Sequence, residues 1–242
     1  MGFTVLHMIL LDSAIELIPS ELSALKQIQK QAARRGKKPS EILLDQNLHG
    51  REMTRLANGL RRGRPDIVFH SLLSLLETPL CKSGNLTVHL HLQDNRVIEV
   101  NPDVRLPRNY DRFTGLLEQL LVRGQVPVKG PPLMHITNKK LSTLVSELKQ
   151  KNPDAQTILA VENGAQTPMD RLHSLFPEDA TVPVIVGVGA FPHGDFSAGL
   201  RELFDTHLEF DKEVMMAWHV CAEILWMYSS RMGVVQQRYS ST

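Results

Sequence analysis

The stretch from Val182 to Phe196, V-P-V-I-V-G-V-G-A-F-P-H-G-D-F, constrains the fold of this chain more than any other. A β-branched run, Val184 to Val186, follows Pro183 and opens into glycines at 187, 189 and 194. A short apolar run bounded this way reads as a buried strand rather than a helix. Glycines at a strand end let the backbone turn sharply and let a ligand approach main-chain N–H groups. A tight turn after a core strand explains the same residues, and the stretch alone leaves both readings open. It does not match the common phosphate loops. Pro192 stands where a dinucleotide fingerprint needs its third glycine, the position is late in the chain, and no Gly-Lys-Ser/Thr ending follows.

The 242 residues, 42% of them apolar, suffice for one large domain or two small ones; the expectation is one domain over 1–242. No apolar run approaches the ~20 residues of a membrane span. Phe3 to Leu11 lacks a basic lead-in and a cleavage site, so it reads as a strand. Cys81 and Cys221 are far apart with no C-x-x-C spacing, which suggests a reducing compartment, no zinc and a cytoplasmic location.

The net charge of +1 hides an uneven distribution. Between Lys26 and Arg64 there are 11 Lys or Arg against three acids (Glu41, Asp45, Glu52), a balance of +8 that leaves about −7 elsewhere. Separated basic clusters (Arg34-Arg35, Lys37-Lys38, Arg61-Arg62, Arg64) suit a phosphate-binding surface. A solvated helical face is the competing reading.

Pro19-Ser20-Glu21 predicts a helix capped by Ser20 and running to Gly36, with Leu22, Leu25 and Ile28 at helical spacing. Lys37 to Gly63 reads as a basic loop with short helical pieces at 42–44 and 53–60. A helix over Ile67–Leu76 stops at Thr78-Pro79. Alternating runs 86–92 and 97–100, joined by Asp94-Asn95, predict a hairpin. His89 and His91 share one face of it, a spacing that suits metal but, without a third ligand, is better read as a polar face. Arg105, Arg108 and Arg112 lie three and four apart on the approach to a helix from Tyr110 to Val122, placed either to converge on phosphates or to pair with Asp103, Asp111 or Glu118. Further helices are predicted over 141–150, from Pro168 to Phe176, and from Asp211 to Tyr228, with a strand over 157–161. The last helix carries an apolar seam of Val214, Trp218, Cys221, Ile224/Leu225 and Tyr228, suited to a core or a dimer contact. Residues 234–242 read as a loose tail.

Four motifs occur in order: Arg64-Pro65-Asp66-Ile67, I-E-V-N-P-D-V-R-L-P-R from Ile98, G-A-F-P-H-G-D-F from Gly189, and M-A-W-H-V-C-A in the last helix. Together they resemble the ribosomal RNA small-subunit pseudouridine N1-methyltransferase family in an archaeal-type version, over roughly residues 3 to 230. The resemblance implies a SPOUT-type α/β domain: a parallel sheet flanked by helices, with a C-terminal trefoil knot over roughly 155–232, an exception to the rule against threaded chains. It also implies a homodimer that binds S-adenosylmethionine and methylates a small-subunit rRNA pseudouridine, with a role in subunit biogenesis.

Carried over, Gly189 and Gly194 would meet the cofactor through the backbone. Phe210, Asp211, Lys212, Glu213, Val214 and Met215 would enclose its other side, with Glu162 and Gly164 as a third wall. Arg105, Arg108 and Arg112 would hold RNA, as would the basic segments 26–64 and 103–112. Arg64 and Asp66 are the catalytic candidates. Asp66 would either help the pseudouridine ring N–H lose its proton or pair with Arg64 and fix the turn. A non-catalytic rRNA-binding assembly factor, or a related enzyme acting on another RNA, would carry much of the same surface.

Overall fold

The computed structural model describes residues 5–151, 153–177 and 182–240. The chain opens with strand β1 (Leu6–Ser13), then helices α1 (Ser20–Ser23), α2 (Lys26–Arg35), α3 (Gln46–Met53), α4 (Pro65–Leu76) and α5 (Pro79–Lys82). A hairpin of β2 (Leu86–Leu92) and β3 (Val97–Val100) precedes α6 (Tyr110–Arg123), β4 (Gln125–Val126), β5 (Met134–Thr137) and α7 (Leu141–Lys151). Then come β6 (Gln156–Gln166), β7 (Val184–Gly189), β8 (Thr206–Glu209), α8 (Ala217–Arg231) and α9 (Val234–Ser240).

The strands form one eight-stranded sheet in the order β4-β5-β3-β2-β1-β7-β6-β8. The expected parallel sheet is its larger part, since β2, β1, β7, β6 and β8 all run parallel. Three antiparallel strands, β3, β5 and β4, extend one edge. The change of direction is set at Asp94-Asn95, a turn too short for the crossover that parallel neighbours require. Asn95 takes the positive φ of 70° that the turn needs.

Side chains alternate across the sheet as a period of two demands. Leu6, Met8 and Leu10 of β1 and Val184, Val186 and Val188 of β7 pack with α4, α6 and α8 in the main core. Ile9, Leu11 and Ile185 point the other way, toward Leu144 and Val145 of α7 and toward Phe204. The run read as strand-then-glycine-turn stays in strand through Gly189. Gly187 belongs to the strand interior: a Cβ there would lie 2.5 Å from Leu11 Cδ1 and 2.8 Å from Phe204 Cζ. The seam packed across the sheet leaves no room for one.

Several local expectations need correcting. The first helix is broken at Ala24-Leu25, and Ser20 does not cap it; Pro19 occupies the cap, and the Ser20 hydroxyl bonds Glu21. Residues 42–44 are not helical: Leu43 bridges Leu17, and Ile42 and Leu44 join Leu22, Ile28 and Met53 in a small separate core beneath the basic segment. The helical piece expected at 53–60 lies earlier, at Gln46–Met53, capped by Asp45. The last helix begins at Ala217 rather than Asp211, so Val214 lies outside it and is exposed, while Cys221, Ile224, Leu225 and Tyr228 form the buried seam. Residues 234–240 are helical rather than a loose tail, with Val234 buried against the main core. The start of the first predicted strand, Phe3-Thr4, lies outside the described residues.

Candidate functional site at the carboxyl ends of the central strands

In open α/β sheets, ligands bind beyond the carboxyl ends of the strands, where neighbouring connections diverge. Here that edge carries a cavity walled by Ala160, Val161 and Glu162 of β6, Val188 and Gly189 of β7, Leu208 of β8, and most of the segment that follows it, Phe210, Asp211, Val214 and Ala217 among them. Phe191 and Phe196 close another side, with ring centroids 5.3 Å apart in an edge-to-face arrangement. The walls are apolar, and Glu162, Asp211 and Glu213 bring carboxylates to them. Such a site suits a flat hydrophobic ring joined to a cationic group.

Seven of the predicted cofactor residues line this cavity: Glu162, Gly189, Phe210, Asp211, Glu213, Val214 and Met215. Gly194 lines an adjoining hollow with Glu162, Asn163, Phe191 and Val214, and its φ of 90° is one that L side chains avoid. Lys212 is exposed and lines neither space; it lies in a bend where the Glu213 N–H donates to Asp211 Oδ1 at 2.9 Å. Gly164 is not a wall. It sits in a bulge of β6 against the β8 backbone, where a Cβ would come within 2.9 Å of His207 O.

Arg64 and Asp66 open α4. Arg64 Nε and Nη2 donate to the two Asp66 carboxylate oxygens at 2.8 and 2.7 Å, and Pro65 occupies the first helical turn between them. Burial raises the Asp66 carboxyl, but the hydrogen bonds and charge of Arg64 outweigh it and leave the group below the usual carboxylate range. A carboxylate held this way is a poor base and a good brace. Asp66 faces His70, whose ring packs at a 53° tilt against Trp218 at the start of α8, with centroids 5.1 Å apart. The pair therefore sits beside the helix whose first residue, Ala217, lines the cavity.

Arg105, Arg108 and Arg112 are all exposed. Val104 and Leu106 are buried on either side of Arg105 and force it outward. The Arg108 side chain is 82% exposed and only 3.4 Å from Glu77, and Arg112 lies in the first turn of α6 behind the Asn109 cap. No ion pair engages Arg105 or Arg112 among the described residues.

The expectation that the whole 26–64 segment faces RNA needs narrowing. Arg35 and Lys37 converge on Glu118, a carboxylate 1% exposed that also accepts from Leu43 N. Arg61 pairs with Asp12, Arg62 with Glu16 and Arg64 with Asp66. Five of the eleven cations thus tie the segment to the body of the protein.

Sequence reasoning missed the densest polar cluster. Asp12, fully buried near the end of β1, has φ 49° where β1 bulges against β2. Its carboxylate accepts from Arg61 Nη2 at 2.5 Å, from Ser197 N at 2.8 Å and from Ser197 Oγ at 3.0 Å. The Arg61 guanidinium lies 4.1 Å over the Phe191 ring. The one signal in the sequence is an acid ending an otherwise apolar strand, I-L-L-D-S.

Among known proteins, the chain matches the model of the EMG1/NEP1 methyltransferases over residues 8–228. It is 43% identical over 223 residues to a ribosomal RNA small subunit methyltransferase Nep1 of Thermococcus sibiricus, covering 92% of this chain and 97% of that one. It is 37% identical over 221 residues to the protein of the same name from Staphylothermus marinus, covering 91% and 93%. Its structure is similar to that of Archaeoglobus fulgidus Nep1 bound to S-adenosylhomocysteine, with a TM-score of 0.80, 31% identity, and coverage of 96% of this chain and all of that one. The chain belongs to the EMG1/NEP1 methyltransferase family.

Proposed function

We propose that this protein is an S-adenosylmethionine-dependent methyltransferase that modifies N1 of a pseudouridine in small-subunit rRNA and acts in subunit biogenesis. The observation that carries the reading is the cavity at the ends of β6, β7 and β8, built mostly from the residues that the resemblance assigns to the cofactor. Apolar walls beside Glu162, Asp211 and Glu213 fit a molecule that joins an adenine ring to a sulfonium and an ammonium. When bound, that molecule supplies an electrophilic methyl group.

The chain's own part is positioning, desolvation and charge. Val188, Leu208, Phe191 and Phe210 exclude water from one side of the site, and the three carboxylates balance positive charge. Asp66, already doubly bonded to Arg64, acts best as the brace that orients the guanidinium and the α4 turn toward the nucleotide. Arg105 and Arg112, which no ion pair engages among the described residues, and Arg108, held only at 3.4 Å from Glu77 on an exposed surface, are placed to meet phosphates. A threaded knot over 155–232 is part of the proposal, supported by β7 lying between the earlier strands β1 and β6. So is a single domain over 1–242, supported by one continuous sheet. A homodimer is supported by α8, which leaves Trp226 63% exposed. No helix among the described residues is long and apolar enough to cross a membrane, and a cytoplasmic site of action is proposed with the rRNA substrate.

The decisive test is mass spectrometry of small-subunit rRNA from a deletion strain, with transfer assayed on a pseudouridine-containing rRNA fragment. Loss of one N1-methylated pseudouridine, restored by the protein, is the expected result; an unchanged modification profile would end the proposal. Asp66→Asn should reduce turnover at least tenfold with near-normal affinity for S-adenosylhomocysteine. Full activity in that variant would exclude any role for the pair.

A further inference from the structure

We propose that Asp12 is a positioning residue for the cofactor wall, clamping both ends of the 191–197 loop through Ser197 and through Arg61 stacked on Phe191. The inference rests on the cofactor reading of the cavity and names a residue that does not line it.

The loop that closes the cavity has little regular structure of its own. Its start is tied to β1 by Ala190 N donating to Leu11 O at 2.8 Å and Ala14 N to Ala190 O at 2.9 Å. Its far end is held by Asp12, which takes both the backbone N–H and the hydroxyl of Ser197. Between them, Arg61 reaches from the basic segment to bond the same carboxylate and to set its guanidinium carbon 4.1 Å from the centre of the Phe191 ring, which in turn meets Phe196 edge-on. Both phenyl rings line the cavity. One buried acid thus fixes the two aromatic side chains of that wall.

The local backbone is shaped for this task. A positive φ at a residue other than glycine costs of order 1 kcal/mol, and aspartate is among the side chains that bear it most readily. The Asp12 N–H donates to His91 Nδ1 at 3.2 Å. His91 Nδ1 also lies 3.4 Å from Asp12 Oδ1, and its Nε2 is 3.1 Å from Asn95 Oδ1. The ring thus touches Asp12 at both its backbone and its carboxylate, while Arg61 balances the carboxylate's charge. Gln93 Nε2 donates to Asp12 O at 3.3 Å and Arg61 O at 2.8 Å, and Arg64 N donates to Ala14 O, so the clamp is continuous with the Arg64-Pro65-Asp66 turn. The cofactor wall and the proposed nucleotide-facing turn are referenced to the same end of β1.

The test uses the full-length protein with S-adenosylhomocysteine as the probe. Asp12→Asn keeps the shape, removes the charge and leaves Arg61 uncompensated. Asp12→Asn/Arg61→Gln removes both charges. Calorimetric titration should show at least a tenfold rise in Kd for both variants. Hydrogen exchange should show faster amide exchange over 191–197 in ligand-free protein. The melting temperature separates clamp from general stability: it should fall in Asp12→Asn and recover in the double variant, while affinity stays low. If affinity recovers with melting temperature, the role is merely structural and the proposal is overturned. A folded variant whose Kd is within twofold of the unmodified protein's, with unchanged exchange, overturns it as well. If Asp12→Asn does not fold, the double variant and Ser197→Ala, which should weaken binding about threefold, decide between the same outcomes. If the unmodified protein itself binds no S-adenosylhomocysteine, the reading of the cavity fails, and the exchange comparison alone decides the clamp.

Discussion

Lowering the pH from 8 to 5 should cost this fold about 4 kcal/mol through two histidines alone. His7 on β1 and His89 on β2 share one face of the sheet, where Ile9 is the neighbour of His89. His7 Nδ1 lies 2.6 Å from Thr87 Oγ1, whereas both ring nitrogens of His89 are buried with no hydrogen-bond partner among the described residues. Burial is the chief cause of a depressed pKa in both, reinforced for His7 by His89 and Lys151. For His89, Glu99 pulls the other way, but Lys139 and Lys151 join burial against it. Each is lowered from 6.5 to about 4.

A folded-state value below the unfolded one means that the unfolded chain binds more protons between them. Stability is therefore fully present above about pH 6.5 and is lost as the pH falls toward 4. At pH 5 each ring is about 97% protonated when unfolded and about 10% when folded, which gives roughly 2 kcal/mol apiece. That loss is large against a typical domain stability of roughly 5–15 kcal/mol. Urea unfolding at pH 8, 7, 6 and 5 reads it directly, and His89→Leu should flatten the difference between pH 8 and pH 5 by about 2 kcal/mol, whatever its stability at pH 8. Asp12, Asp66 and Glu118 are carboxyls lowered below their ordinary values, so their contributions are lost at lower pH and are common to both proteins. Stability constant within about 1 kcal/mol across the range, or a His89→Leu variant with the full pH dependence, would refute the reasoning.

Two shorter expectations bear on function. Arg108→Ala should weaken rRNA-fragment binding and reduce the slope of log K against log salt by about 1; an unchanged slope and affinity removes Arg108 from the interface. If the proposed homodimer pairs through α8, Trp226→Glu should shift the sedimenting species from dimer to monomer with helical content intact; an unmodified protein that sediments as a monomer, or a variant that stays dimeric, refutes pairing through that face.

Much of the proposed cofactor cavity is legible in the sequence because its information is local. A β-branched run specifies its own strand, and the motifs from Gly189 and from Met216 carry the resemblance as contiguous strings. The hairpin at Asp94-Asn95 is legible for the same reason. Contacts between distant residues are not. Asp12 bonds Ser197 across 185 positions, and nothing near Asp12 announces it. Lys212 is expected in the wall because the resemblance carries over the whole stretch 210–215, while only the three-dimensional path of the segment decides which of its residues line the cavity. Strands β4, β5 and β8 escape because two to four residues carry too little periodicity to distinguish strand from loop.

Charge shows the limit most plainly, and it yields a test of its own. Counting residues makes 26–64 uniformly basic, but the acids that neutralise it lie at positions 12, 16, 66 and 118. Lys26, Lys30, Arg34, Lys38, Arg51 and Arg55 remain exposed, with no ion pair among the described residues. Lys26, Lys30 and Arg34 recur every four positions along α2, so they share a face, about 6 Å apart along the axis. Arg34 and Arg35 are adjacent in sequence, but Arg34 is exposed with no ion pair among the described residues while Arg35 pairs with the buried Glu118. Arg34→Ala should weaken RNA binding and lower its salt slope at unchanged stability. Arg35→Ala, which strips one partner from the buried Glu118, should instead cost about 1–3 kcal/mol in urea unfolding, with RNA affinity nearly kept. The reverse pattern, with Arg35 governing RNA affinity and Arg34 governing stability, would mean that the ion pairs to Glu118 do not persist in solution and that the whole basic segment turns toward the nucleic acid.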